Sequence, residues 1–313
     1  MDNRLMNRRK FIKKSAEYTA YTAFGMILPG VFNETARAGR LPDIVVAMGV
    51  PGATTRAAVN ALGGMRRFVK AGNKVVIKPN MSFPNSPGWA TTTHPDVVKE
   101  LATMCLEAGA ASIMVLDNPL RNAKLSLKRS GIKSAMESVP QSRTEGIESE
   151  RFYKEVEVPE GIELASTKIM KQVLDADVLI AAPVAKSHSA TGLSLSMKGM
   201  MGLIFNRRVF HRDMDLNTAV VDLCTVLKPQ LTVIDVSRLL SSGGPNGPGK
   251  VLTMNKIVAS TDMVAADAAT VELGTWYGRK FKARQVKHIR MAHKRGLGNM
   301  DIGGQVVKEI NAS

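Results

Sequence analysis

The pattern of apolar and polar positions changes its period repeatedly along the chain. Short apolar runs of strand length alternate with segments whose apolar residues recur every three or four positions, as on one face of a helix. The pattern predicts strands at 43–48, 74–77, 112–116, 178–182, 231–236 and 256–259. It predicts helices at 54–69, 94–109, 216–227, 263–273 and 284–294. Such an alternation is typical of an α/β fold, here a mostly parallel sheet with helices on both faces.

The segment after the third predicted strand fits this alternation less well. Residues 121–139 are helical and basic, and residues 141–162 mix charged positions with short strand-like runs such as 153–158. We interpret about 121–165 as a small α+β insertion. The prediction is a single α/β domain over residues 39–313 that contains this insertion, with two lobes that share one sheet as the alternative.

The stretch from Asp177 to Phe205 carries the densest polar chemistry. An apolar strand at 178–182 breaks at Pro183 into a polar loop that holds Lys186 and His188, and apolar residues then return at helical spacing. The prediction is therefore a strand, a polar loop and a helix. Ligands of open α/β sheets bind outside the carboxyl ends of the strands, so this loop is the first candidate for a site.

Polar side chains also follow other predicted strands, and we expect them to converge on one crevice if the strand ends lie side by side. We assign catalytic roles to His188 as general base or ligand, and to Lys186 and Lys198, which suit an anion and developing negative charge. The residues assigned to substrate binding are Lys78, Asn80, His94 and Gly247. Gly247 belongs to the loop at 241–250, for which a lid over the ligand and a structural turn are equal alternatives.

A divalent metal is a second interpretation of the same polar residues. The residues assigned as metal ligands are Asp117, Asp235 and His211, with His94 and His188 as further donors to a mixed nitrogen and oxygen site. Their spacing forms no compact ligand motif, so this prediction depends on the fold bringing them together. The cofactor is otherwise left open.

The two cysteines limit the redox chemistry of the chain. Cys105 and Cys224 both lie in apolar helical patterns and are predicted to be buried free thiols, with a single disulfide in an oxidising compartment as the alternative. An iron–sulfur cluster or zinc site held by cysteines alone within this chain is excluded. The sequence also contains no Walker loop, no dinucleotide-binding glycine fingerprint and no Gly-Xaa-Ser-Xaa-Gly elbow.

Residues 1–38 have the organisation of a twin-arginine export signal. A basic run that includes Arg8 and Arg9 precedes a mostly uncharged segment at 20–32, and Ala36 and Ala38 stand where a signal peptidase reads small residues. We predict a cleaved signal, the twin-arginine translocase as export partner, and a periplasmic or otherwise exported protein. The alternatives are a basic amphipathic anchor and a short uncleaved membrane helix, although a span needs roughly 20 apolar residues.

The formal net charge of +16 bears on the choice of partners. A basic surface favours anionic small molecules, or an acidic protein that docks on a basic face such as 279–294. We do not expect nucleic acid as a partner, because no recognition motif accompanies the charge and an exported protein rarely meets nucleic acid.

Several short motifs occur in the order of a known family. They are Lys78-Pro79-Asn80, Thr93-His94-Pro95, Pro183 to His188, Thr191-Gly192, Lys198 to Gly202, Thr232 to Asp235, Asn246-Gly247-Pro248 and Gly296-Leu297-Gly298. Across about 43–310 the chain resembles the domain of unknown function 362 family, which has no settled reaction. Many relatives carry ferredoxin-like cysteine clusters, and since this chain lacks them, an iron–sulfur role is not carried over. The resemblance includes Lys186, His188, Lys198 and Asp235 in the family pattern without assigning their roles.

Together these patterns favour an exported α/β enzyme that binds an anionic small molecule through lysine, histidine and aspartate side chains at strand ends. Dependence on a metal or another cofactor belongs to this hypothesis. The alternative is a non-catalytic periplasmic binding protein, or an accessory protein of a redox complex. Turnover of a bound ligand separates the two.

Overall fold

The computed structural model describes residues 40–312, so the predicted export signal at 1–38 lies outside the described residues. The strands of this range are β1 (Ile44–Met48), β2 (Lys74–Pro79), β3 (Ser112–Asp117), β4 (Ser142–Gly146), β5 (Tyr153–Glu157), β6 (Ser166–Met170), β7 (Val178–Ala182), β8 (Val184–His188), β9 (Gly192–Ser194), β10 (Leu231–Leu240), β11 (Val251–Ser260) and β12 (Val307–Asn311).

The α-helices of the described range differ widely in length. They are α1 (Pro51–Ala61), α2 (Pro95–Glu107), α3 (Ala123–Ser130), α4 (Ile132–Met136), α5 (Lys171–Leu174), α6 (Ser196–Gly199), α7 (Arg208–Arg212), α8 (Leu216–Val226), α9 (Met263–Leu273) and α10 (Lys287–Lys294). Short 3₁₀ turns occur at Met65–Arg67, Pro87–Trp89, Glu150–Phe152, Met200–Leu203, Ala283–Gln285 and Ile302–Gly304. None of the helices in this range is both long enough and apolar enough to cross a membrane.

The main sheet has the strand order β12-β1-β11-β10-β7-β2-β3-β4. The run from β10 to β4 is parallel, and β11 is antiparallel to both of its neighbours. Alternate residues of the buried strands, such as Val45, Ile77 and Val115, pack with α1, α2 and α4 in one core, and α9 packs against β10 and β11. This confirms the predicted α/β fold with a mostly parallel sheet.

The segment predicted as an insertion is divided between two sheets. Strand β4 pairs in parallel with β3 and forms an edge of the main sheet, whereas β5 and β6 form a separate antiparallel pair. Gly131, with a φ of 75°, separates α3 from α4 within the predicted long helix. The part that stands apart from the main sheet is therefore smaller than 121–165.

The predicted polar loop after β7 is a β-hairpin. Pro183 ends β7, after which β8 pairs in parallel with β10 and antiparallel with β9. Lys186 lies opposite Ser194, and His188 lies opposite Gly192. The sequence pattern missed these strands because Lys186, Ser187 and His188 are polar although buried, and because β8 pairs with β10, which is distant in the sequence.

The first predicted helix is shorter than its apolar pattern. Helix α1 ends at Ala61, and the next two glycines have φ values of 100° at Gly63 and 78° at Gly64. This backbone conformation ends a helix, and the apolar Met65 is buried by a 3₁₀ turn instead.

Candidate functional site

A cavity of about 470 Å³ lies at the carboxyl ends of β2 and β3. The hairpin of β8 and β9 forms a second side, and the segment from α6 to α7 forms a third. Among the described residues, its lining contains three lysines, three arginines and two histidines, but one carboxylate, that of Asp117. The cavity is therefore strongly electropositive, as expected of a site for an anion.

The three lysines of the cavity come from three different elements and are almost fully buried. Lys78 on β2 is 2 % exposed, Lys186 on β8 is 3 % exposed, and Lys198 on α6 is 7 % exposed. Lysine is rarely buried to this degree because the ammonium group loses its hydration. Burying three lysines at one cavity costs folding stability, and residues of this kind cluster at functional sites.

Lys78 and Asp117 form a buried ion pair at the base of the cavity. Lys78 Nζ lies 3.2 Å from Asp117 Oδ1 and also donates a hydrogen bond to the carbonyl oxygen of Pro79. Asp117 Oδ2 accepts from the backbone N–H of Met81 at 3.0 Å and from Ser82 Oγ at 2.8 Å. Burial lowers the pKa of Lys78, and the Asp117 carboxylate opposes that change.

Gly202 leaves the space that this ion pair occupies. A Cβ atom at position 202 would overlap Asp117 Oδ1 and Lys78 Cε and would lie 2.6 Å from Lys78 Nζ. The carbonyl oxygen of Gly202 also accepts a 2.8 Å hydrogen bond from the backbone N–H of Asn118. The turn after α6 thus packs closely against the end of β3, and only glycine leaves room for the ion pair.

Lys186 lies between a backbone carbonyl and an aromatic ring. Its Nζ donates to the carbonyl oxygen of Thr91 at 2.9 Å and lies 5.3 Å from the centroid of the Phe83 ring. Burial lowers the pKa of Lys186 to about 7, an effect that the Asp117 carboxylate opposes and the charge of Lys78 increases. A large part of the Lys186 population is therefore neutral at pH 7 in the empty cavity.

Lys198 lies on the four-residue helix α6, whose first turn is held by hydrogen bonds to a carboxylate of another helix. Asp267, fully buried on α9, accepts hydrogen bonds from Ser196 N at 2.8 Å, Ser196 Oγ at 2.5 Å and Met197 N at 3.1 Å. The Nζ of Lys198 lies 3.1 Å from Met201 Sδ. Burial lowers the pKa of Lys198 to about 7, and the charge of Arg207 adds to this.

His188 and His211 lie side by side at the cavity. Their ring centroids are 5.9 Å apart and their planes differ by 15°. Burial and the charge of Lys198 lower the pKa of His188 to about 3 and that of His211 to about 4, so both rings are neutral at pH 7. His188 Nδ1 accepts from the backbone N–H of Ala190 at 3.1 Å, which leaves the ring proton on Nε2.

The sequence analysis missed the arginines of this site. Arg207 is half-buried and donates to the carbonyl oxygen of Asn118, while Arg208 and Arg212 are exposed on α7 beside His211. The stretch 206–212 reads only as irregular and basic, because its periodicity is too short to predict a helix. The one sequence feature that could have placed these arginines at the site is that they directly follow the apolar turn at 200–204.

Three of the predicted site residues do not line the cavity. His94 is the N-cap of α2, where its Nδ1 accepts from Asp96 N at 3.2 Å, and its own N–H donates to Asp235 Oδ2 at 2.7 Å. Asp235 Oδ1 accepts from Ser237 N at 2.9 Å. Gly247 has a φ of 66°, and a Cβ there would lie 3.0 Å from the Trp89 ring. These residues shape the loops around the site, whereas Asn80 and the other predicted side chains line the cavity.

The residues predicted as metal ligands are not brought together as a set. Asp117 and His211 line the cavity, but Asp235 binds the backbone of His94 and Ser237 outside it. Within residues 40–312, no group of three histidine, cysteine, aspartate or glutamate side chains is arranged to hold a metal ion. Cys105 on α2 and Cys224 on α8 are buried free thiols, as predicted.

Comparison with known proteins places the chain in a family. The model of the family named Domain of unknown function (DUF362) matches residues 75–272, which include most of the cavity lining, and the chain belongs to this family. It is 25% identical over 228 residues to the thylakoid-associated protein sll1697 of Synechocystis sp., covering 71% of this chain and 69% of that protein.

Two solved structures show a low similarity to this chain. One is a Thermotoga maritima protein, 16% identical with a TM-score of 0.42 over 60% of this chain and 51% of that one. The other is the lactate racemase apoprotein of Thermoanaerobacterium thermosaccharolyticum, 12% identical with a TM-score of 0.42 over 70% of this chain and 54% of that one. The chain thus spans about half the length of each.

Proposed function

We propose that this protein binds an anionic small organic molecule in the cavity and acts on it as an enzyme. The observation that carries the proposal is the burial of Lys78, Lys186 and Lys198 around one space in which Asp117 is the one carboxylate among the described lining residues. Isolated buried cations are costly, so an anionic ligand is the partner that compensates them. A cavity of about 470 Å³ lies within the range of volumes usual for small-molecule sites.

The lining also suggests what kind of anion fits. Phe83, Leu120, Met201 and Pro245 supply apolar surface between the charged groups. A ligand with an organic body and an acidic group would use both kinds of surface, which a bare inorganic ion cannot do.

The proposed roles follow from the contacts of each residue. Lys186 and Arg207 hold the acidic group, and the Lys78–Asp117 pair fixes the base of the cavity. Lys198 stabilises negative charge that develops on the ligand, and the neutral ring of His188 accepts or donates a proton at Nε2. A bound anion raises the pKa of His188 from about 3 towards the range useful for proton transfer.

The first prediction concerns Lys186→Met. The variant is expected to bind oxalate, used here as a small organic dianion, about tenfold or more weakly, because it loses a hydrogen bond to a charged group worth about 1.5–3 kcal/mol. The melting temperature of the free protein is expected to rise, since a desolvated ammonium group is replaced by an apolar chain of similar length. Isothermal titration calorimetry and thermal unfolding measure both effects.

Lys133→Met is the matched control, because Lys133 is exposed on α4 outside the cavity. It should change neither oxalate affinity nor melting temperature beyond experimental error. Equal oxalate affinity in wild type and Lys186→Met, with both proteins folded, would show that the cavity is not the anion site.

We also propose that the protein is exported through the twin-arginine pathway, which carries folded proteins. Replacing Arg8 and Arg9 together by lysine is expected to retain the protein in the cytoplasm with its signal attached. The wild-type protein should be recovered from the exported fraction beginning at Gly39. Cell fractionation with intact-mass measurement gives the answer, and export of the double variant at the wild-type level would contradict the proposal.

A further inference from the structure

The amine of Lys198 differs from the other lysine amines of the cavity in its partners. Lys78 Nζ has the Asp117 carboxylate at 3.2 Å, and Lys186 Nζ has the Thr91 carbonyl oxygen at 2.9 Å. For Lys198 Nζ, the contact within the described residues is the thioether of Met201 at 3.1 Å. A thioether sulfur is a weak acceptor, so this amine is buried at the cavity without a strong hydrogen-bond partner.

The surroundings of Lys198 favour the neutral amine in the free protein. The side chain of Lys198 is only 7 % exposed. Arg207 and Lys186 add positive charge nearby, which further disfavours the ammonium form. Burial lowers the pKa of Lys198 to about 7, whereas an exposed lysine has a pKa of about 10.4. A neutral amine is a nucleophile and an ammonium group is not.

We propose that Lys198 is a nucleophile that forms an imine with the carbonyl carbon of an anionic aldehyde or ketone, such as a 2-oxo acid. The inference rests on the proposed anion site, because Lys186 and Arg207 hold the acid group there. Lys198 then reacts as a neutral amine with the carbonyl carbon, instead of stabilising charge as an ammonium group. The substrate class is thereby narrowed from organic anions to those that carry a carbonyl group.

The atoms of this step balance without a further reagent. Lys198 Nζ attacks the carbonyl carbon, and the electron pair of the C=O π bond moves to oxygen to give a carbinolamine. The carbinolamine then expels its oxygen as water, which carries away the two protons that nitrogen loses, and the C=N double bond forms. A proton taken up from solvent by the imine nitrogen then gives the iminium ion, which draws electrons from the neighbouring carbon and so weakens a C–H or C–C bond there.

Reductive trapping with glyoxylate tests the proposal on the wild-type protein. Sodium cyanoborohydride reduces an imine of glyoxylate to a stable carboxymethyl-lysine, which peptide mass spectrometry assigns to a position. At pH 7, Lys198 is expected to be modified at least about tenfold faster than exposed lysines such as Lys133, because far more of its amine is neutral. The experiment uses the wild-type protein, so its result does not depend on whether a variant folds.

Two comparisons make the result specific. Excess oxalate, an anion that forms no imine, should suppress trapping at Lys198 but not at Lys133. Acetaldehyde, a neutral carbonyl compound, should modify Lys198 at least about tenfold more slowly than glyoxylate does, because nothing holds it in the cavity.

The outcomes separate this inference from the anion site on which it rests. If oxalate binds the cavity by calorimetry and glyoxylate leaves Lys198 unmodified, or modifies Lys186 instead, the anion site stands and the imine proposal is overturned. If Lys198 is trapped equally by glyoxylate and acetaldehyde and oxalate has no effect, the anion site fails, and the imine proposal fails with it as a statement about anionic substrates.

Discussion

Alanine in place of Gly202 is expected to lower the free energy of unfolding by about 3–5 kcal/mol and to abolish oxalate binding. The added Cβ would occupy the space between Asp117 Oδ1 and Lys78 Cε, and both side chains are at least 98 % buried, with exposures of 0 % and 2 %. Neither can move to solvent, so the ion pair must separate or the turn must shift. Separation of the pair leaves a buried charge without its partner, and a shift of the turn breaks the hydrogen bond between Asn118 N and the Gly202 carbonyl oxygen.

Gly199→Ala is the matched control, three residues earlier in the same segment. Its Cβ would meet Pro183 Cβ at 3.7 Å, which is ordinary contact, and its φ of −61° suits alanine. We expect the free energy of unfolding to change by less than about 0.5 kcal/mol. Urea unfolding and calorimetry compare the two variants. If Gly202→Ala is as stable as the wild type, glycine is not required at position 202 beside the Lys78–Asp117 pair, and the prediction is wrong.

The sequence could predict the cavity from strand ends because parallel strands bring their carboxyl ends to one edge of a sheet. Lys78 and Asp117 end neighbouring strands β2 and β3, so their meeting follows from the order of the strands once the sheet is known to be parallel. The α/β class depends on local patterns in the same way, but the strand lengths do not, since β10 and β11 each have ten residues and extend past the predicted 231–236 and 256–259. Short stretches of sequence are therefore enough to predict these parts of the site.

Strand-end reasoning cannot tell which buried carboxylates face the cavity. Asp235 follows the same rule as Asp117, yet its oxygens accept from the backbone of His94 and from Ser237. Asp222 similarly accepts from the N–H groups of residues 162–164 and pairs with Arg295. Whether a carboxylate faces a ligand or a loop depends on which backbone N–H groups come near it, and residues distant in the sequence supply them.

The arginines were missed for a different reason. Arg207, Arg208 and Arg212 lie on a turn and on the five-residue helix α7, which packing against neighbouring elements stabilises. Short helices carry too few residues for periodicity to register, and isolated helices of that length do not form. The sequence therefore showed that this segment is basic, but it did not show that its arginines line the cavity.

The two lysines whose pKa burial lowers to about 7 predict that anion binding is coupled to proton uptake. Below about pH 7 both ammonium groups are already present, and affinity should be highest and nearly independent of pH. Above about pH 7 a bound dianion raises both pKa values, so each lysine must take up a proton on binding. The affinity for oxalate is then expected to fall by up to about tenfold per pH unit for each lysine, and about a hundredfold for both.

Stability of the free protein is expected to change in the opposite direction over the same range. Unfolded lysine retains its proton up to a pKa near 10.5, so between about pH 7 and pH 9 the unfolded chain binds more protons than the folded chain and stability rises with pH. The carboxyl of Asp267, whose pKa burial raises to about 7, acts mainly below this range, and the histidines act below pH 6.5.

Calorimetry of oxalate binding in buffers of different ionisation enthalpy gives the number of protons taken up directly. Up to two are expected near pH 8 for the wild type, and up to one for Lys186→Met, whose affinity should fall no more than about tenfold per pH unit. Lys133→Met should behave as the wild type, because its exposed ammonium group lies outside the cavity. Proton release on binding, or affinity that stays flat to about pH 9, is incompatible with lysines that are partly neutral in the empty cavity. In that case the buried cations would be permanently charged, and Lys198 would lack the neutral amine that nucleophilic attack requires.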